Sequence, residues 1–381
     1  MNQPLFFSFL QAGFECSVHK LRNGRRLDMV HATRHDEFAV KDFLTVQRFG
    51  IRTVREGIRW PLIESKPSQY DFSSALHILR AAEETGTQII WDILHFGWPD
   101  GLDVFSPEFI TRFANLSREF TKVLVSESGG IPFLAPVNEI SFVSWAGGDK
   151  GFLNPHEKNR GHELKRQLVR AAIESTEAIW SVTKKVRLVS PEPVIHIAPD
   201  LSMPGDVEAA ERYRMSMFEA WDMISGRIFP ELGGHPKYLD ILGLNFYDRN
   251  EWIHFGRTLE PTDPNYRPFR QILDEVYRRY RRPMFVAETG AEDALRPDWF
   301  NYVASEVFAA IDAGVPIEGI CLYPILNHPG WDNDRHCYNG LLDYANDNGD
   351  RNVYKPLAQA ILRVNEKLEE DVKDELKKEL V

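Results

Sequence analysis

Glu139, in Phe133-Leu-Ala-Pro-Val-Asn-Glu-Ile140, and Glu288, in Pro283-Met-Phe-Val-Ala-Glu-Thr-Gly290, each close a short apolar run that reads as a buried strand. Two carboxyl groups are sufficient to cleave a glycosidic bond, one giving a proton to the leaving oxygen while the other attacks or stabilises the anomeric carbon. That chemistry needs neither a metal nor a cofactor, and the sequence calls for neither. Asp332-Asn-Asp-Arg-His336 gathers oxygen and nitrogen donors, yet it lacks the length, glycine and terminal glutamate of an EF-hand loop, and no His-Glu-x-x-His pattern occurs. The glycine-rich dinucleotide fingerprint, the Walker lysine and the Gly-x-Ser-x-Gly elbow are absent as well.

Positioning two such groups requires strands that converge. Eight apolar runs of strand length lie near residues 5–15, 53–60, 87–96, 131–140, 187–198, 238–247, 283–288 and 318–326. Helical patterns run between them over 36–50, 74–85, 107–126, 162–184, 207–228, 269–280 and 297–313. Several strands, such as Gln88-Ile-Ile-Trp-Asp-Ile-Leu94, are continuous apolar runs, as parallel strands buried on both faces are. Ser106-Pro107 supplies an N-cap and a first-turn proline, and Gly50, Gly86 and Gly314 stand where helices should stop. Strand and helix alternating eight times predict an α/β fold, a single (β/α)8 barrel over residues 1–363, followed by a charged helix or tail over 364–381. The Arg-rich stretch Arg278–Arg282 is expected to finish a helix, where cations meet the negative end of its dipole.

In such a barrel the carboxyl ends of the strands form the active face. Nearly every strand here closes on a polar residue: Glu15, Arg55, His95, Asn138 with Glu139, Glu192 or His196, Asn245 with Tyr247, Glu288 and Tyr323. One such residue alone is often structural, and their convergence is what carries the argument.

Composition narrows the partners. A net charge of -11 over 381 residues opposes general nucleic-acid or anionic-membrane binding, which depends on dense Lys and Arg. Cys16, Cys321 and Cys337 form neither a CxxC pair nor an even disulfide set, so reduced thiols are expected. The first ten residues lack the basic segment of a secretory signal, and their apolar run is too short to span a membrane. A soluble cytoplasmic protein acting on a small carbohydrate is the expectation.

Taken in order, the local motifs resemble those of glycoside hydrolase family 1, in the clan of retaining barrel glycosidases. Val54-Arg-Glu-Gly-Ile-Arg-Trp-Pro61 resembles the family's Tyr-Arg-Phe-Ser-Ile-Ser-Trp-Pro, and Trp91-Asp-Ile-Leu-His-Phe-Gly-Trp-Pro99 its His-Trp-Asp-Leu-Pro segment. Pro136-Val-Asn-Glu139 is similar to Thr-Phe-Asn-Glu-Pro, Gly243-Leu-Asn-Phe-Tyr247 to Gly-Ile-Asn-Tyr-Tyr, and Val286-Ala-Glu-Thr-Gly290 to Ile-Thr-Glu-Asn-Gly. Tyr323-Pro-Ile-Leu-Asn-His-Pro-Gly-Trp331 resembles Trp-Ser-Leu-Leu-Asp-Asn-Phe-Glu-Trp.

The resemblance implies a retaining β-glycosidase, β-glucosidase-like, with Glu139 as acid/base and Glu288 as nucleophile. Retention places the two carboxyls about 5–5.5 Å apart. Glu139 should carry a raised pKa, and Glu288 should stay ionised. Arg55 would hold the nucleophile charged, unless it is a structural partner of a core carboxylate such as Glu56. Tyr247 would donate to the nucleophile and Asn138 would bind the sugar 2-hydroxyl. Glu15, His95, Asn245, Tyr323 and Trp331 would contact the sugar, with Trp98 and Trp145 further out. Two departures fall on the sugar-reading positions: Glu15 stands where the family has Gln, and Gly330 where it has Glu. Asp332, Asp334 or His336 could take over the missing contact. A transglycosidase on the same site, or a non-catalytic carbohydrate-binding barrel, are the alternative readings.

Overall fold

A computed structural model describes residues 4–331 and 333–379. Eight parallel strands close a barrel: β1 Leu10–Gly13, β2 Thr53–Gly57, β3 Gln88–Leu94, β4 Phe133–Val137, β5 Arg187–Pro193, β6 Ile241–Asn245, β7 Met284–Thr289 and β8 Ile317–Leu322. Neighbours in space are neighbours in sequence, and β8 returns to β1 with Leu10 opposite Ile320. The α-helices longer than four residues are α1 His35–Gln47, α2 Ser73–Thr85, α3 Pro107–Glu127, α4 Gly161–Val182, α5 Asp206–Met215, α6 Glu219–Ile224, α7 Phe269–Tyr280, α8 Arg296–Asp312 and α9 Lys355–Glu379. This is the single (β/α)8 barrel that the alternating pattern predicts. No described helix is long and apolar enough to cross a membrane.

The punctuation works locally as expected. Ser106 Oγ accepts the Phe109 N–H at 3.3 Å with Pro107 in the first turn of α3. Gly86 ends α2 in the left-handed conformation, φ 66°, where a side chain would be strained. The arginine-rich stretch does finish a helix: Arg278 and Arg279 lie in the last turn of α7, paired with Asp274 and Asp222.

Strand alternation splits the core in two. Ile90, Phe133, Ala135, Val189, Ile241, Phe285 and Ala287 fill the barrel interior, while a larger layer lies between the strands and the helices. The first strand starts later than its apolar pattern suggests. Residues 4–9 are not part of the barrel sheet, and Phe6 instead packs into the interior cluster, its ring centroid 5.4 Å from Phe133 and 5.1 Å from Phe285. An apolar segment that plugs a barrel and one that forms a strand have the same composition, so the sequence does not separate them.

The same alternation separates Arg55 from Glu56. Thr53, Arg55 and Gly57 share one face of β2, and Val54 and Glu56 the other. Glu56 faces α1 and meets His35 Nε2 at 2.8 Å, and His35 Nδ1 meets Asp42 at 2.7 Å. Glu56 is therefore not the partner of Arg55.

Candidate active site

At the carboxyl ends of the strands lies a cleft of about 470 Å³. Glu15, His95, Glu139, Tyr247, Glu288, Tyr323 and Trp331 line it. Strand phase explains most of this convergence. Gln11, Gly13 and Glu15 are in phase on β1 and beyond its end, as are Gly243, Asn245 and Tyr247 on β6. Glu288 is the exception, one residue out of step with Phe285 and Ala287. The register of β7 against both neighbours shifts between Val286 and the strand end, and such an irregularity re-aims a side chain.

Glu139 follows β4 directly and has a left-handed backbone, φ 52° and ψ 58°. Its N–H donates to the Pro191 carbonyl at 3.0 Å, which ties the strand end to β5. Asn245 Nδ2 donates to Glu139 Oε1 at 2.9 Å. Glu288 is held differently. Arg55 Nη1 donates to Glu288 Oε1 at 3.0 Å and to the Ala287 carbonyl at 2.8 Å, and Tyr247 OH donates to Glu288 Oε2 at 2.8 Å.

These surroundings separate the two carboxyls. Burial, and then the neighbouring Glu288 carboxylate, push Glu139 well above the ordinary range. Burial also raises Glu288, but Arg55, His95 and the Tyr247 hydroxyl pull it back. The protonated form is thus favoured more strongly at Glu139 than at Glu288. Tyr247, buried and beside Glu288, is itself raised well above its usual value and stays a donor.

Behind the pair lies a network that the sequence reading missed. Arg55 Nη2 donates to Asp92 Oδ2 at 2.6 Å and to Asn138 Oδ1 at 3.1 Å. His95 Nδ1 lies 2.9 Å from Asp92 Oδ2, and the Asn138 amide approaches His95 Nε2 at 3.3 Å. Asp92 was detectable: it is in phase with the interior Ile90, and an inward carboxylate in an apolar strand needs a partner. Cys16, Asp92 and His95 bring potential metal-ligand atoms within 4.8 Å of one another. Asp92 Oδ2 is engaged by Arg55, however, and burial pushes the Cys16 thiol up to about 11, so the group fits a hydrogen-bonded support better than a metal centre.

Asn138, Arg55 and Asn245 act from behind the cleft wall, through the side chains that line it. The Tyr323 ring covers Gly13, where an added Cβ would lie 1.8 Å from a ring carbon, so the glycine is what allows the tyrosine its place. Trp331 packs on Phe96 and Phe142. Trp98 is buried against Phe109 and is not among the side chains lining this cleft, Glu192 accepts the Ser141 N–H at 3.0 Å, and His196 meets the Asn265 carbonyl at 3.1 Å.

The two departures also take a definite form. Glu15 keeps its charge: burial works against it, but the His95 and His328 imidazoles and the Ser17 hydrogen bonds bring its pKa below the ordinary value. At Gly330 an added Cβ would meet Asn333 Oδ1 at 2.2 Å and Arg335 Cγ at 3.2 Å. Asn333, Arg335 and Glu292 line the cleft there, the last two joined by a 2.6 Å ion pair. Asp334 turns away to Arg25 and His336 to Asp343, while Asp332 lies outside the described residues.

No family model matches the chain, and no curated protein matches it. Solved structures do. A family 1 β-glucosidase from Thermotoga maritima superposes with a TM-score of 0.76 at 17% identity, covering 94% of this chain and 97% of that one. The same organism's β-glucosidase in complex with deoxynojirimycin gives 0.75 at 17% identity, with 95% and 98% covered. The AHE enzyme from Alicyclobacillus herbarius gives 0.77 at 18% identity, with 94% and 99% covered. At these identities the likeness is one of fold, and it spans nearly the whole of each chain: the protein has the barrel fold of the family 1 β-glucosidases.

Proposed function

We propose that the protein is a retaining β-glycosidase, with Glu288 as nucleophile and Glu139 as acid and then base. The observation that carries this reading is the unequal treatment of two glutamates in one cleft, Arg55 and Tyr247 on one and burial beside a negative neighbour on the other. The fold likeness to β-glucosidases, including one in complex with deoxynojirimycin, supports it.

In the first step a Glu288 carboxylate oxygen forms a bond to the anomeric carbon as the bond to the leaving oxygen breaks. The leaving oxygen takes that electron pair and receives the Glu139 proton. In the second step water attacks the anomeric carbon, gives its proton to the Glu139 carboxylate, and releases Glu288. Arg55 and Tyr247 hold the Glu288 oxygens in place, and Asn245 orients Glu139. Asn138, between Arg55 and His95, positions those two side chains rather than meeting the sugar 2-hydroxyl itself. A β-linked glucoside or a sugar of similar size is the substrate class, read at its far end by Glu15, His95, Asn333 and Arg335, with Tyr323 and Trp331 offering apolar faces. Three free, buried cysteines fit a cytoplasmic setting.

The test is Glu288→Ala with aryl β-glycosides. Hydrolysis should be lost and partly restored by azide, giving a glycosyl azide of inverted configuration. Intact mass should also show a 2-fluorosugar adduct on the wild type that this variant lacks. Undiminished hydrolysis by Glu288→Ala would overturn the assignment.

A further inference from the structure

Glu192 is a buried carboxyl that the proposed mechanism does not use. It stands on β5 in phase with Leu188, which belongs to the layer between strands and helices, and out of phase with the interior Val189. In that layer it lines a small cavity of about 20 Å³ with Val137, Ile140, Ile173 and Ile224 among its neighbours. A carboxyl in so apolar a setting is costly unless hydrogen bonds hold it there.

Its bonds run to the segment that follows Glu139. Glu139 occupies the N-cap position of the short helix Ile140–Val143, where a Ser, Thr, Asp or Asn would turn its side chain back onto the free N–H groups of the first turn. The Glu139 side chain makes no such bond and reaches instead to Asn245, in the cleft. Glu192 Oε2 takes over the task and accepts the Ser141 N–H at 3.0 Å. The residue before it on β5, Pro191, accepts the Glu139 N–H at 3.0 Å. The ladder between β4 and β5 covers Phe133 with Arg187 and Leu134 with Leu188, and these two bonds rejoin the strands beyond it, at their carboxyl ends. Burial lifts the Glu192 carboxyl to about 7, against the Ser141 hydrogen bonds and the Lys165 charge, and Lys165 is itself paired with Glu219 at 2.6 Å. Protonated or ionised, the group keeps an acceptor oxygen for Ser141.

We propose that Glu192 is the positioning residue of the acid/base: from β5 it caps the helix that Glu139 cannot cap, and so holds Glu139 where its carboxyl meets the leaving oxygen. The left-handed backbone of Glu139, φ 52°, persists only where its surroundings fix it. Pro191 restrains it from one side and the capped turn from the other. Without the cap the first turn loses its acceptor, the strained residue before it loses one of its two restraints, and proton transfer is sensitive to displacements of about 1 Å. The same segment brings Phe142 to the cleft and Trp145 beyond it, rings 6.0 Å apart. What the cap needs is an acceptor oxygen rather than a charge, so glutamine serves at this position and methionine does not. The inference rests on the glycosidase reading only for the task given to Glu139.

Glu192→Gln and Glu192→Met, made in the full chain, test it with two substrates: phenyl β-glucoside, whose departure needs a proton, and 2,4-dinitrophenyl β-glucoside, whose departure does not. The ratio of kcat/KM for the first to that for the second cancels any loss of folded protein or of sugar binding. That ratio should fall about tenfold in Glu192→Met and stay within about twofold of wild type in Glu192→Gln. Amide hydrogen exchange over the Ile140–Val143 helix should quicken in the methionine variant and not in the glutamine one. A wild-type ratio in Glu192→Met would overturn the proposal by showing the cap unnecessary, and an equal fall in both variants would overturn it by assigning the effect to charge. Should wild type cleave neither glucoside, the glycosidase reading fails instead, and exchange still decides the cap: an unchanged rate in Glu192→Met removes it.

Discussion

Two glutamates in one cleft differ in character because their neighbours differ. Glu288 is held by a guanidinium and a phenol, Glu139 by one amide and burial, and the order of their pKa values follows. In the proposed mechanism attack requires Glu288 ionised, so kcat/KM should rise with pH through a value above the ordinary carboxyl range. Proton donation requires Glu139 protonated, so the rate should fall again through a still higher value. In Glu139→Gln, assayed with an activated aryl glycoside that needs no proton, the upper limb should vanish while the lower limb remains. A descending limb that persists in that variant would assign it to another group. Both glutamates were legible from the sequence, since a charged residue ending an apolar strand is conspicuous. The elevation of Glu288 was not, because burial acts on it through residues far apart in the chain.

At the scale of elements, the strands and helices were legible in order and nearly in extent, since apolar runs, caps and stop glycines are local signals. What escaped is non-local. The register shift on β7 that turns Glu288 inward depends on β6 and β8, and the choice of Asn333 and Arg335 over Asp334 and His336 at the cleft depends on where Arg25 and Asp343 stand. The attachment of α1 to β2 is another such contact. Burial opposes a charge on His35, but Glu56 and Asp42 outweigh it and lift the imidazole to about 9. Burial dominates at Glu56, whose carboxyl is raised despite the imidazole, so the pH window is read from His35. With a folded value above the unfolded 6.5, the pairing stabilises fully below about pH 6.5 and is lost as pH rises through about 9. His35→Ala should therefore cost about 3 kcal/mol at pH 6, by urea denaturation, and distinctly less at pH 10. An equal loss at both values would show that packing against Phe14, not charge, secures the helix.

Over the whole molecule the barrel has a cleft end and a sealed end. Phe6 closes the latter against Phe133 and Phe285. Phe6→Ala should lower unfolding free energy by about 3–5 kcal/mol while leaving deoxynojirimycin affinity unchanged, because the cavity opens away from the cleft. A weakened affinity would instead couple the two ends. The backbone at Glu139 bears on the molecule's history as well as its chemistry. A glutamate at φ 52° costs on the order of 1 kcal/mol that asparagine or glycine would largely avoid. Relieving its buried carboxyl as well, Glu139→Asn should raise the melting temperature while abolishing turnover, and a lowered melting temperature would remove the point. On the proposed mechanism a lineage would keep this costly glutamate because turnover needs its carboxyl at this point, whereas a barrel that only bound sugar would gain stability by losing it.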